Sequence, residues 1–176
     1  YGFALRTDKS KYETDKFLTF YKKALDRILE YNFSGHYFTE DLARIFLTKI
    51  LTPFNVGFVD LQSPAGLING VIVFNYDGAV YATDESRMLA EQKDFTFKLG
   101  TLDDTYNDIF FGKKAQEISL IWANEGLTGC SECAFQQYCG ADPVHNHATQ
   151  GDMYGYRPTS DFCQKNMEII RYLIEL

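Results

Sequence analysis

Cys130-Ser131-Glu132-Cys133-Ala134-Phe135-Gln136-Gln137-Tyr138-Cys139-Gly140 holds three of the four cysteines of this 176-residue chain, and the fourth returns at Cys163. The spacing is C-x2-C-x5-C-x23-C, and the preceding 129 residues contain no cysteine. Four thiolates are what a tetrahedral metal ion or an iron–sulfur cluster requires. A Cys-x2-Cys pair alone is a weak signal; Cys139 just beyond it, with Cys163 returning from a distance, makes a closed four-ligand set. Unrelated buried thiols would not crowd three cysteines into one short segment. Two disulfides would need an oxidising compartment, and the sequence carries neither a signal peptide nor an apolar run of membrane-spanning length. The expectation is a cytoplasmic metal site built from Cys130, Cys133, Cys139 and Cys163. Zinc and iron–sulfur both accept this ligand set, although zinc ribbons usually supply two Cys-x2-Cys knuckles and this chain has one. His145 and His147 lie close by and read as surface or supporting residues, because the thiolates already fill the set.

Working outward, the residues from Cys130 to about Thr159 look loop-like, with Gly140, Pro143, Gly151, Gly155 and Pro158 breaking regular structure. A loop that long needs an internal clamp. Ser160 is a candidate N-cap for a last helix carrying Met167, Ile170, Leu173 and Ile174, which puts Cys163 in its first turn. There the free N–H groups and the positive dipole end favour an anionic thiolate. Upstream, Phe17, Leu18, Tyr21, Leu25 and Ile28 recur at helical spacing from Tyr12 to Tyr31. Thr39 followed by Glu40-Asp41 predicts a capped second helix through Phe46 and Ile50, ended by Pro53. Val71 to Phe74 and Ala79 to Tyr81 flank Asn75-Tyr76-Asp77-Gly78, a β-hairpin signal. Phe97 to Leu102 reads as a short extended segment, and helices return at roughly 104–111 and 113–124. The predicted fold class is α+β: a small hairpin, flanking helices and an irregular metal-bound cysteine segment capped by a helix.

Composition narrows the partners. A formal charge of −7 with no basic stripe lacks the electrostatic footprint of a nucleic-acid binder or of a protein drawn to an anionic membrane. Fifteen Phe and twelve Tyr supply packing for a sizeable core. No phosphate-cradling loop, dinucleotide fingerprint, zincin helix or nucleophile elbow occurs. A self-contained Lewis-acid enzyme is also disfavoured, because a site closed by four thiolates has no open position. Asp84, Glu85 and Arg87 form either a substrate-facing polar patch or an ion pair at the hairpin's exit, and Arg157 is placed to donate to a sulfur or to a loop carbonyl. Tyr1-Gly2-Phe3-Ala4-Leu5 reads as the inside of a longer folded unit.

The hairpin Asn75-Tyr76-Asp77-Gly78-Ala79-Val80-Tyr81, the following helices and the C-x2-C-x5-C segment with its distant cysteine resemble the C-terminal SPASM extension of radical S-adenosylmethionine peptide maturases. Within that family, Asp84-Glu85-Ser86-Arg87-Met88-Leu89 and Cys139-Gly140-Ala141-Asp142-Pro143 resemble the maturase of the His-Xaa-Ser peptide system. The resemblance implies that residues 63–176 are an auxiliary-cluster domain and that residues 1–62 link it to an upstream barrel. It implies one [4Fe–4S] cluster on Cys130, Cys133, Cys139 and Cys163, as structural staple or electron relay, with zinc able to take its place. A second auxiliary cluster of the family needs thiolates where this chain has Ser63-Pro64-Ala65-Gly66, Tyr81-Ala82-Thr83-Asp84 and Pro143, so that cluster is expected to be lost. The radical chemistry needs a Cys-x3-Cys-x2-Cys triad that this chain lacks; S-adenosylmethionine would bind the parent enzyme only, and a peptide or protein would be its substrate. The alternative is a zinc-stapled, non-catalytic peptide- or protein-binding module.

Overall fold

The computed structural model describes residues 14–176. Its architecture is α+β, with seven α-helices and one small antiparallel sheet among the described residues. Helix α1 (Thr14–Phe33) buries Leu18, Tyr21 and Leu25 on one stripe, as the spacing predicts; the expected start at Tyr12 and the segment Tyr1 to Leu5 lie outside the described residues. Helix α2 (Asp41–Leu51) is capped by Glu40 and not by the predicted Thr39. The Glu40 carboxylate accepts from the backbone N–H groups of Leu42 and Ala43 at 3.1 and 2.6 Å, and the Tyr21 hydroxyl donates to it at 3.0 Å, so the cap also ties α2 to α1.

The predicted hairpin forms from β1 (Val73–Phe74) and β2 (Ala79–Tyr81), reversed at Gly78 with φ +81°. The predicted extended segment becomes β3 (Lys98–Thr101), giving the order β1-β2-β3 with Val73 opposite Tyr81 and Val80 opposite Gly100. Three further corrections concern helices. The charged cluster after the hairpin opens α3 (Asp84–Glu91), started by a capping box in which Thr83 and Ser86 satisfy each other's backbone N–H. Helices α4 (Tyr106–Phe111) and α5 (Lys113–Ser119) are the returning helices, but α5 stops before residue 124 and a short 3-10 turn (Asn124–Gly126) follows. The loop-like cysteine segment contains α6 (Pro143–Gln150): Pro143 occupies its first turn, where a missing N–H costs nothing, and the Asp142 side chain caps it. Helix α7 (Asp161–Glu175) is capped by Ser160, as predicted.

Two large hydrophobic cores result, with a small third cluster of Ala79, Tyr81 and Ala90 beside them. One packs Leu67, Ile68, Leu89, Phe97, Ile118 and Val144, with Leu99 of the sheet against it. The other packs α1 and α2 against Leu61 and against Ile169, Ile170 and Leu173 of α7. The cysteine segment spans both, with Cys130 against the first and Phe135 and Tyr138 against the second. Phe46, 1 % exposed, is the main anchor of α2 in the second core. Phe46→Ala is expected to lower the unfolding free energy by about 3–5 kcal/mol in urea titrations, whereas Phe54→Ala, at a site 70 % exposed, should stay within about 0.5 kcal/mol of the parent.

Candidate metal centre

The cysteine segment winds through successive tight turns. Cys130 N–H donates to the Leu127 carbonyl, Cys133 N–H to Cys130, Gln136 N–H to Cys133 and Cys139 N–H to Gln136, at 3.0 to 3.2 Å. Regular 3-10 structure is confined to Gln136–Tyr138, and Cys139 is extended beyond it, so Cys130, Cys133 and Cys139 stand at the joints between successive turns. Cys163 sits in the first turn of α7, its N–H donating to Ser160 Oγ at 3.2 Å.

The four thiols are free and lie within electrostatic reach of one another. Burial pushes the Cys163 thiol up to about 11, with Cys139 adding to the push, Arg157 opposing it, and Cys130 and Cys133 adding further. Burial likewise raises Cys139 and Cys130; Arg157 opposes the shift at Cys130, while the Asn166 amide and the Gly140 N–H oppose it at Cys139. No three described His, Cys, Asp or Glu side chains are gathered at metal-coordination distance. The donor chemistry nonetheless fits a cation. Burial and neighbouring cysteines disfavour the thiolate at Cys130, Cys139 and Cys163, and a bound cation would reverse that balance.

Several side chains hold this arrangement. Asn124, 1 % exposed, donates to the carbonyls of Gln136 and Cys139 at 3.0 and 3.1 Å and accepts from Gln136 Nε2 and Ser63 Oγ at 2.8 and 2.9 Å. Gly140 lies directly on the backbone of the 3-10 turn Val59–Leu61 and its exit: a Cβ there would stand 2.3 Å from the Asp60 carbonyl oxygen and 2.9 Å from Gln62 N. Ala141 N–H donates to the Gln62 carbonyl at 3.1 Å. Arg157 donates to the Gly129 carbonyl and not to a sulfur, tethering the loop ahead of Cys130 while bringing its charge toward the thiols. Asn166 Nδ2 lies 3.7 Å from Cys139 Sγ, and the Cys163 thiol faces Met167 Sδ at 3.6 Å.

The two nearby histidines are engaged elsewhere: His145 Nε2 with Asp161 at 2.7 Å, and His147 Nε2 with Asp94 at 2.7 Å. Arg87 pairs with Asp84 at 3.0 Å and with Glu91 at 3.7 Å, the ion-pair arrangement of the two considered. Asn124, Asn166 and the buried Lys165–Asp60 pair at 3.6 Å were not singled out by sequence reasoning. An asparagine ahead of the first cysteine, and another three residues after the last, carry no pattern that separates them from surface asparagines.

No family model and no curated protein matches this chain. Among solved structures, it is similar to "Native anSMEcpe with bound AdoMet", with a TM-score of 0.62, 18 % identity, and coverage of 96 % of this chain and 45 % of that one. It is also similar to "Native anSMEcpe with bound AdoMet and Kp18Cys peptide", with a TM-score of 0.58, 18 % identity and the same coverage. The chain thus spans less than half the length of each, and at this identity the likeness establishes a shared fold.

Because backbone atoms surround the Gly140 Cβ position, Gly140→Ala forces the two segments apart. It is expected to destabilise the protein by about 1–3 kcal/mol and to weaken cobalt(II) binding at the cysteines, read from the thiolate-to-cobalt absorption in parallel titrations of parent and variant.

Proposed function

We propose that residues 63–176 are a SPASM-like auxiliary iron–sulfur domain of a radical S-adenosylmethionine enzyme that modifies a peptide or protein, and that residues 1–62 link it to an upstream barrel. What carries this reading is the set of four partly buried free cysteines, three on successive tight turns and Cys163 in the first turn of α7, within electrostatic reach of one another. The shared fold with solved structures named for bound AdoMet, one of them also for a peptide, supports the same class.

Cys130, Cys133, Cys139 and Cys163 would hold one [4Fe–4S] cluster. When bound, it supplies a rigid node of four thiolates and a one-electron centre. The protein's own residues do the rest: Asn124 holds the turn between Cys133 and Cys139, Arg157 tethers Gly129 and brings positive charge to the thiolates, and Ser160 directs the first turn of α7. No thiol occupies the positions a second cluster would need. Ala65 and Ala82 there are buried with Leu67, Ile68 and Val144 in the first core, which fits the loss of that cluster. Stapling is the favoured role, because the segment from Gly126 to Pro143 has only short turns of its own. No described helix is long and apolar enough to cross a membrane.

Protein reconstituted without oxygen is expected to hold about four irons and four acid-labile sulfides per chain, both lost in Cys139→Ser. One tightly held zinc without iron uptake would replace this reading with a zinc-stapled binding module. Under the stapling role, Cys133→Ser should speed hydrogen exchange across 130–142 while leaving α1 to α5 protected as in the parent; equal exchange in that segment would argue against a staple.

A further inference from the structure

We propose that Asn166 is a positioning residue for the four-thiol site, its side-chain amide held on Cys139 Sγ so that the protein itself supplies a donor to one of the cluster's sulfurs. The inference rests on reading the four cysteines as one metal-binding set and goes beyond that reading in assigning a residue that sets the electronic state of the bound centre.

Asn166 lies on α7 three residues beyond Cys163, a spacing that stacks the two side chains on one helix face. It is 1 % exposed and is followed by Ile169 and Ile170, which are wholly buried. A polar amide at such a position is costly unless both of its ends are used. One end is used: Nδ2 stands 3.7 Å from Cys139 Sγ. The other is not: Oδ1 is buried and has no hydrogen-bond partner among the described residues. A leucine of similar size would avoid that unpaired carbonyl, so the contact with sulfur is what distinguishes asparagine here. The geometry also separates Asn166 from Asn124, whose amide reaches the carbonyl of Cys139 and therefore acts on the loop and not on the thiol.

The neighbouring Gly140 N–H also favours the thiolate of Cys139. Donors to a cysteine sulfur favour the more electron-rich form of the centre it holds, because they share negative charge that grows on reduction. Asn166 should therefore raise the reduction potential of the bound cluster.

The test compares parent, Asn166→Leu and Asn124→Ala chains loaded anaerobically with iron and sulfide, by redox titration followed by electron paramagnetic resonance. At a fixed poise near the parent midpoint, Asn166→Leu is expected to lower the ratio of reduced to oxidised cluster about tenfold, a midpoint about 59 mV lower for one electron. Asn124→Ala should lower cluster content without moving the midpoint of what is bound. Identical midpoints in parent and Asn166→Leu would overturn the proposal. Should Asn166→Leu not fold or load, the parent grown with side-chain 15N-labelled asparagine decides: the reduced cluster should show a weak 15N hyperfine coupling, and its absence in a loaded protein overturns the proposal. A parent chain that takes up neither iron nor cobalt(II) through its cysteines fails one step earlier, and that result removes the four-cysteine reading together with this inference.

Discussion

Two backbones pressed together keep this molecule's parts in register. Gly140 leaves no room for a side chain against Asp60 and Gln62, and Ala141 donates to the Gln62 carbonyl at the same crossing. Leu61 belongs to the helical core and Ala141 to the sheet core, so the crossing fastens one core to the other. Polar contacts secure the upstream strand of the crossing from several sides: Lys49 Nζ donates to the Leu61 carbonyl at 2.8 Å, Lys165 pairs with Asp60, and Ser63 bonds Asn124. Cys139 stands one residue before the contact and therefore takes its position from it.

The charges near the thiols are arranged in tension. Burial drives Lys165 toward its neutral form and Asp60 toward protonation, while their attraction opposes both shifts. A buried pair of this kind adds little net stability, but removing one partner leaves an uncompensated charge. Its value here lies in fixing where α7 meets the turn Val59–Leu61, and hence where Cys163 and Asn166 meet the cysteine segment. Arg157 reaches the thiols from the opposite direction along the chain, through the loop ahead of α7.

Much of this was legible before any coordinates. Helix α1 followed from the apolar stripe through Leu18, Tyr21 and Leu25, the hairpin from Asp77-Gly78, and the last helix from Ser160, each a local rule acting on local sequence. Helix α3 escaped because its capping box ends in Ser86, where the familiar signature has Glu or Gln. Helix α6 escaped because Pro143 breaks a helix in its interior but is welcome in its first turn, and position decides between the two. Asn124 and Asn166 were illegible for a different reason. Their roles depend on partners twelve to sixty-one residues away, and no spacing in the sequence records that. The four cysteines could be named as a set because chemistry needs them together, whereas the groups that hold them have many alternatives.

Support is uneven along the cysteine segment. At its downstream end, Cys139 is held by Asn124, by the Gly140 crossing and by Asn166. At its upstream end Cys130 rests on the sheet core and Arg157 tethers Gly129, but beyond Cys130 the N–H groups of Ser131 and Cys133 donate only within the same turns, to Leu127 and Cys130, and Ser131, Glu132 and Ala134 are exposed. Phe135, beneath Arg171 at 5.9 Å and against the helical core, marks where tertiary contacts resume. A cross-link through all four sulfurs would therefore add least at Cys139, whose place the protein already determines, and most at Cys133, where little else does. Packing fixes one side of the site, and the bound centre completes the other.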